Sequence, residues 1–431
     1  MSISPIHNPQ SAIRDPQSGA PVRVVVGMSG GVDSSVAAFL LKEQGYDVVG
    51  VTMKVWPQDC ISRAEDKCCG PQAIADARSV AHALGIPHYT VDEADQFERL
   101  VIDYFTSEYK AGRTPNPCVM CNEKVKFGNL WGKAKAVGAE FIATGHYAII
   151  ERRVEGRRSK AEGQILSTFD PGPSTVRAVL RKGRDPRKDQ SYFLFSLRQA
   201  QLARALTPLG AMSKPEIRDI ARKLGLKTAD KVDSQEICFV PGNDYKAFLK
   251  SHLDAGEFHP GGIYDKAGKR VGEHDGIEMF TIGQRKGLPG GSAQPRYVID
   301  IDPATSRVIV GDAEDLVTEE FEMDNTIWHG AGSASESRSD DASLRGEGIG
   351  ERDSEADPDA RAPFEVTVKI RYGHAGADAT VFPGENGVAR VRLHTPTRAV
   401  TPGQAAVCYR GDEVLGGGWI TRHAALVAQT A

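Results

Sequence analysis

Two groups of residues in this chain have types and spacings that could do chemistry. The first is Gly27-Met28-Ser29-Gly30-Gly31-Val32-Asp33-Ser34-Ser35, which follows the apolar run Val22 to Val26 and leads into a resumed apolar pattern. Gly27, Gly30 and Gly31 remove Cβ atoms that would hold a phosphate away from the backbone. Ser29, Ser34 and Ser35 add hydroxyls where a helix N-terminus presents unpaired N–H groups. The chemistry this suits is polyphosphate binding. A GxxxxGK[ST] loop would carry a lysine for the terminal phosphates; this loop has none, so a kinase-type reading fails. The plain alternative is a glycine-rich strand-to-helix turn.

The second group is sulfur. In Arg113-Thr114-Pro115-Asn116-Pro117-Cys118-Val119-Met120-Cys121-Asn122, two prolines in three positions predict an ordered, non-helical loop. Cys121 would then arrive near the start of a helix over about 123–137. A thiol there has its pKa lowered by the helix N-terminus and by Lys124 and Lys126, and the thiolate is the nucleophile. The same CxxC spacing admits zinc, with Cys60, Cys68 and Cys69 as further ligands, although the adjacency of Cys68 and Cys69 strains shared coordination. Small packed side chains are the bland reading. Cys238 stands alone, and reads as a buried structural thiol unless it meets Cys121 in space.

The elements that must position these groups follow from pattern. A chain of 431 residues, 40% hydrophobic and 26% charged, is globular and too long for one core, so two or three domains are expected. Net charge −4 and pI near 6.3 exclude an overall basic signature, leaving local patches for any nucleic-acid contact. Residues 1–20 lack the apolar core of a signal peptide and no later run is long enough to span a bilayer, so a cytosolic protein without a membrane partner is expected. Seven cysteines, an odd number, argue against a disulfide framework.

After a polar tail over 1–20, residues 21–240 alternate strands and helices as a parallel α/β sheet with crossovers. Strand ends in such a sheet point at one crevice, which places Met53 and Thr144-Gly145-His146 toward a nucleotide, with ordinary packing as the alternative. From about 150 to 182 periodicity is lost, which reads as a surface insertion. Arg181 to Tyr192 is basic with an aromatic residue, suiting either RNA phosphates or a solvated loop. Residues 241–312 read as a small β-rich domain. Residues 313–431 read as a C-terminal β-barrel, interrupted at 331–362 by an aromatic-free segment expected to be disordered or a long loop.

SGGVDSS resembles the pyrophosphatase loop (PP-loop) of the ATP pyrophosphatases, adenine nucleotide alpha hydrolase-like enzymes that split ATP between its α and β phosphates and adenylate a substrate. With TPNPxxxCN, ATGHYA, KDQSYFL, SQEICF and FTIGQRKGL following in order, the chain resembles the bacterial tRNA-specific 2-thiouridylases over nearly its whole length outside the tail and two insertions. The resemblance implies three domains and an ATP- and magnesium-dependent replacement of the 2-carbonyl oxygen of a wobble uridine by sulfur. It implies ATP binding at Gly27, Met28, Ser29, Gly30, Gly31, Val32, Asp33, Ser34, Met53 and Gly145, with Asp33 toward magnesium. Asn116, Pro117 and Cys118 would contact the target base; His146, Lys188, Asp189, Gln190, Arg371, Tyr372 and Gln404 would contact tRNA. Cys238 would carry a persulfide and Cys121 would attack it, leaving a transient Cys121–Cys238 disulfide, with sulfur delivered by a donor protein and no zinc. Many relatives carry aspartate where this chain has Cys118. Other adenylating enzymes of the superfamily, such as GMP synthetase, would share the loop without needing distant paired cysteines or an RNA-docking barrel. A non-catalytic RNA- or zinc-binding module is the remaining alternative.

Overall fold

A computed structural model describes residues 20–55, 70–154, 176–231, 237–288, 295–329 and 362–421. Cys60, Cys68, Cys69, the 1–19 tail and the 330–361 segment lie outside these. The chain forms two compact units, one of residues 1–101 and 118–243 and the other of residues 102–117 and 244–431.

In the first unit, strands β1 (Arg23–Gly27), β2 (Asp47–Lys54), β3 (His88–Asp92), β4 (Phe141–Ala143) and β7 (Ala205–Leu206) pair in parallel in the order β3-β2-β1-β4-β7. Val24, Val25 and Val26 have no exposed surface, because a central parallel strand is covered on both faces and so reads as a continuous apolar run. On one face Val24 and Val26 meet helix α1 (Val32–Glu43) through Val36, Leu40 and Leu41. Helix α2 (Pro71–Leu84) joins through Ala77, Val80 and Ala81. Helix α2 starts with Pro71 after an extended Gly70 and ends at Gly85 in the left-handed region, the expected asymmetry of helix ends. The strand order reverses between β1 and β4, so the loops leaving their carboxyl ends open a crevice at that point.

Helix α3 (Ala94–Phe97) continues through a π-helical turn, Glu98–Ile102, into α4 (Asp103–Lys110). The segment after the prolines departs from the sequence reading. Helix begins at α5 (Pro117–Met120), runs as a π-helix over Cys121–Asn129 and ends in α6 (Leu130–Ala136). Pro117 is itself the first helical residue, where its missing N–H costs nothing, so Cys118 sits in the first turn and Cys121 one turn further in. The 150–182 region is also corrected in part. Strands β5 (Ala148–Val154) and β6 (Val176–Lys182) form an antiparallel hairpin. Their charges mask the alternation of Ile150, Ala178 and Leu180, which are buried. Helices α7 (Gln199–Leu202) and α8 (Lys214–Lys223) complete the unit.

In the second unit, α9 (Tyr245–His252) precedes strands β8 (Gly261–Asp265), β9 (Arg270–His274), β10 (Tyr297–Asp302) and β11 (Arg307–Gly311). They pair in the order β10-β11-β8-β9 over a core of Ile263, Ile277, Val298, Ile301, Val308 and Val310. Helix α4 belongs here: Phe105 meets Phe248 edge-on at 5.6 Å and Tyr109 stacks on Tyr245 at 4.8 Å. Strands β12 (Val317–Trp328), β13 (Phe364–Lys369), β14 (Ala377–Pro383), β15 (Ala389–Arg398), β16 (Ala405–Arg410) and β17 (Glu413–Ile420) pair antiparallel in the order β12-β15-β14-β13-β16-β17. Pairing of β12 with β17 closes the barrel and removes the sheet edges. Its interior alternates along the strands, with Val366 and Val368, Ala379 and Val381, and Val391 and Leu393 pointing inward. No helix among the described residues is long and apolar enough to cross a membrane.

Cys408 lies in this core without exposed surface, and burial pushes its thiol up to about 12. At pH 8 the thiolate is then on the order of one part in ten thousand. Iodoacetamide at pH 8 should leave Cys408 unlabelled in the folded protein and label it once urea opens the barrel, read by peptide mass spectrometry. Labelling at the same rate before and after unfolding would contradict the closed barrel.

Candidate active site

The loop between β1 and α1 is built by its own backbone. Gly30 has φ of +69°, and a Cβ there would lie 2.3 Å from the carbonyl oxygen of Ala73. Only glycine meets both conditions. Gly31 caps α1 in an extended conformation with φ of −95°, and no side chain caps the helix. A Cβ on Gly31 would meet nothing nearer than Ser29 Oγ at 3.4 Å, and one on Gly27 nothing within 3.8 Å. The fold therefore does not need glycine at positions 27 and 31. What their bare backbone leaves is room for something to approach the start of α1, where N–H groups and the helix dipole favour an anion.

The serines divide the work differently from the sequence expectation. Ser35 Oγ donates to Gly31 O at 2.8 Å, and Ser34 Oγ accepts from Ser29 N at 3.1 Å while donating to Gly31 O at 3.3 Å. Both are buried, so they brace the loop from inside by bonding back along the helix. Ser29 is exposed and directs its hydroxyl within 3.4 Å of Ser34 Oγ. Below the loop, Met28 N donates to Val51 O and Thr52 Oγ1 donates to Met28 O, each at 2.8 Å, fixing the loop to β2. Met53, the next residue, is half-buried at the carboxyl end of β2.

Gly145 follows β4 and presses directly on α1. A Cβ there would lie 2.7 Å from Ser34 N and 2.8 Å from the carbonyl carbon of Asp33. His146 beside it is buried, with Nδ1 2.6 Å from Thr144 Oγ1, and desolvation, aided by Lys126, holds its pKa well below the ordinary histidine value. It is neutral at pH 7.

Asp33 is the acidic residue of the loop, and both its oxygens are in use. Tyr147 donates its hydroxyl to Oδ1 at 2.6 Å, and Lys214 Nζ lies 2.8 Å from Oδ1 and 2.9 Å from Oδ2. Magnesium needs near-octahedral oxygen coordination, taken from one or two carboxylates together with phosphates and water. Among the described residues no group of three or more His, Cys, Asp or Glu could hold a metal ion. Asp33 is a single carboxylate that also meets Lys214 and Tyr147, so the described side chains alone do not form a resident magnesium site, and any magnesium there would need the phosphates and water as further ligands. Tyr147 and Lys214 are functional candidates that sequence reasoning missed. A signal existed for the lysine: 214, 217 and 221 share one helix face, and Ile217 and Ala221 are fully buried.

Cys118, Cys121 and Cys238 are all half-buried. Asn122, next to Cys121, is buried; its Nδ2 donates to Phe193 O at 3.1 Å and its Oδ1 accepts from Lys126 Nζ at 3.0 Å. Lys126 thereby braces the Asn122 side chain beside Cys121. Phe239, next to Cys238, is buried and meets Phe97 edge-on at 5.7 Å. Since α3, which carries Phe97, also contacts the π-helix that starts at Cys121, the two cysteine-bearing segments share a neighbour.

The residues expected to touch tRNA fall into two sets. Asp189 is buried and accepts from Gly183 N at 3.0 Å and from Ser191 N and Oγ at 3.1 Å each, while Gln190 Oε1 accepts from Tyr147 N at 3.0 Å. They shape the turn that presents Lys188. In the second unit, Gln404 Nε2 donates to the carbonyls of Thr114 and Pro115 at 3.1 and 3.0 Å, and Thr114 N donates to Pro402 O at 2.8 Å. Asn116 is buried, with its N–H directed at Tyr104 Oη at 3.4 Å, and Tyr104 packs against Trp419 at 5.9 Å. The Thr114–Pro117 loop is thus fastened to the barrel. Arg371 and Tyr372 are exposed.

The glycine geometry separates fold from ligand. Gly30→Ala should lose at least about 1–2 kcal/mol of stability from the left-handed backbone alone. Gly31→Ala meets no clash but gives up glycine's advantage at a helix N-cap, so it should cost only about 1 kcal/mol and yet weaken nucleotide binding tenfold or more. Denaturant titration and calorimetric titration measure the two quantities; unchanged nucleotide affinity in Gly31→Ala would sink the cradle reading.

Three family profiles cover the chain: a tRNA methyl transferase HUP domain over residues 22–242, a tRNA methyl transferase PRC-barrel domain over 246–312, and an aminomethyltransferase β-barrel domain over 352–420. The tRNA-specific 2-thiouridylase MnmA of Heliobacterium modesticaldum is 45% identical over 93% of this chain and 92% of its own. That of Geobacter metallireducens is 45% identical over 92% and 96%, and MnmA 1 of Clostridium botulinum strain Langeland is 42% identical over 93% and 99%. With a bare-backbone loop at a helix start, two anchored cysteine segments and a closed C-terminal barrel in one chain, the match extends through every part of the architecture, and the chain belongs to the MnmA family of tRNA-specific 2-thiouridylases.

Proposed function

We propose that the chain is a tRNA-uridine 2-sulfurtransferase that activates the wobble uridine with ATP and then replaces its 2-carbonyl oxygen with sulfur, in the cytoplasm. The observation that carries this reading is the cradle at the start of α1, whose backbone is bare at positions the fold itself leaves free, in the same unit as Cys121 and Cys238. A uracil oxygen is a poor leaving group. Transfer of AMP to it, with pyrophosphate departing, makes it a good one, and the cradle is where the departing polyphosphate gains backbone hydrogen bonds.

Sulfur then has to arrive as a nucleophile. In the proposed sequence Cys238 receives a terminal sulfur from a donor protein as a persulfide. The Cys121 thiolate attacks Cys238 Sγ; the Cys121–Cys238 bond forms, the S–S bond of the persulfide breaks and hydrosulfide leaves with its electron pair. Hydrosulfide attacks C2 of the adenylated base, which must be out of its stack to be reached, and AMP departs. A cellular dithiol reopens the disulfide. Thr114–Pro117 leads into Cys118, so the target base would be met by Asn116, Pro117 and a thiol. Lys188, Arg371 and Tyr372 would contact RNA through their side chains, Asp189, Gln190 and Gln404 would act through the backbone they hold, and His146 would act from its place against Thr144.

Purified protein given unmodified tRNA, ATP and a persulfide donor should form 2-thiouridine, read by nucleoside mass spectrometry, together with AMP and pyrophosphate. Cys121→Ser and Cys238→Ser should each lower thiolation at least a hundredfold while ATP affinity stays within about twofold. Full sulfur transfer by Cys238→Ser would remove its persulfide role, and absence of tRNA-dependent pyrophosphate release would remove the adenylation step.

A further inference from the structure

The loop at the start of α1 has no lysine of its own, and a polyphosphate bound only by backbone N–H groups would lack a counter-charge. The fold brings two lysines to it from more than a hundred and eighty positions away in sequence. Lys214 is the first residue of α8. Its N–H donates to Asp185 Oδ2 at 3.1 Å, and Ser213 N before it donates to Glu216 Oε2 at 2.7 Å, so the helix start is fixed. Ile217 and Ala221 lock α8 into the core beside α1. Lys214 is only 8% exposed, an uncommon state for lysine. Its Nζ lies against Asp33, the second residue of α1, and 5.8 Å from the Tyr147 ring. Lys231 Nζ lies 3.2 Å from Gly30 O and 2.8 Å from Asp76 Oδ2 on α2, with its side chain 36% exposed.

We propose that Lys214 and Lys231 are the cationic ligands of the polyphosphate, supplied in trans to the glycine loop by the last helix and the following turn of the first unit, with Asp33 and Asp76 holding the two ammonium groups in place before the nucleotide arrives. The idea rests on the reading that this loop binds ATP. It assigns direct phosphate contact to two residues that lie outside every motif by which the chain was recognised. Carboxylates hold both ammonium groups beside the loop; a phosphate approaching the bare backbone at Gly31 competes for them and gains charge-assisted bonds that a neutral cradle cannot give. The two positions are unequal. Lys214 has little solvent to lose, while Lys231 is one-third exposed and screened, so Lys214 is the stronger contact.

Calorimetric titration of the full-length protein with ATP, pyrophosphate and adenosine tests this. Lys214→Met should weaken ATP and pyrophosphate at least tenfold and leave adenosine within twofold. Lys231→Met should weaken ATP and pyrophosphate about threefold, and Lys214→Arg should recover most of the loss. Asp33→Asn, which frees Lys214 from its carboxylate, should bind metal-free pyrophosphate at least as tightly as the unsubstituted protein. Parallel weakening of adenosine and ATP in Lys214→Met would mean that the lysine only supports the loop, and ATP affinity unchanged in that variant would mean that it touches no phosphate; either result overturns the proposal. If the unsubstituted protein bound neither ATP nor pyrophosphate, the ATP reading itself would fall, and this inference with it.

Discussion

The contact between Gly145 and the first turn of α1 is the constraint on which the rest of the first unit depends. The loop after β4 lies so close to Ser34 N and the Asp33 carbonyl carbon that no Cβ fits between them. That closeness is what a reversal of strand order provides, since the loops of β1 and β4 leave the sheet on the same side of a shared gap. It also delivers Tyr147, two residues later, to the Asp33 carboxylate. One steric fact thereby places a backbone cradle, a carboxylate and a phenol around one helix start.

Against that fixed frame Cys121 and Cys238 stand on segments whose neighbouring residues are anchored. Asn122 is tied to Phe193 O, and Phe239 is packed on Phe97. The neighbours are buried and the thiols are half-buried. A sulfur that must accept, hold and release another sulfur needs access, and buried thiols lose it: Cys408, held in the barrel interior with its pKa pushed up to about 12, is the internal contrast.

The second unit treats the Thr114–Asn116 loop as part of its own structure. Gln404, Pro402 and Tyr104 hold Thr114 to Asn116 by hydrogen bonds, and Gly403, at φ of +87°, lies so close to the loop that a Cβ on it would stand 2.8 Å from Thr114 O. A glutamine whose two donors both point at backbone carbonyls is a device for fixing a loop, and it explains how a barrel far along the sequence bears on residues around position 116.

Much of this was legible in the residues. The Val24–Val26 run, the glycines and the break into serines fixed the strand, the turn and the helix, because a buried parallel strand, a left-handed backbone and an open helix end each admit few residue types. The order of motifs identified the family. What pattern could not show was partner choice across distance. Helix at Pro117 was hidden because proline both breaks helices and begins them, and which it does depends on whether its neighbours find carbonyl partners. The hairpin of β5 and β6 was hidden because one of its faces is charged. Ser34, Ser35, Asp189 and Gln404 have side chains equally suited to ligand and to backbone, and only the packed chain decided that their bonds are spent inside. Lys214 is the clearest case: its sequence context is an ordinary helix start, and its position against Asp33 exists only because α8 docks beside α1. Local backbone chemistry is written in neighbouring residues, whereas the pairing of charges separated by 181 positions is decided by the tertiary fold alone.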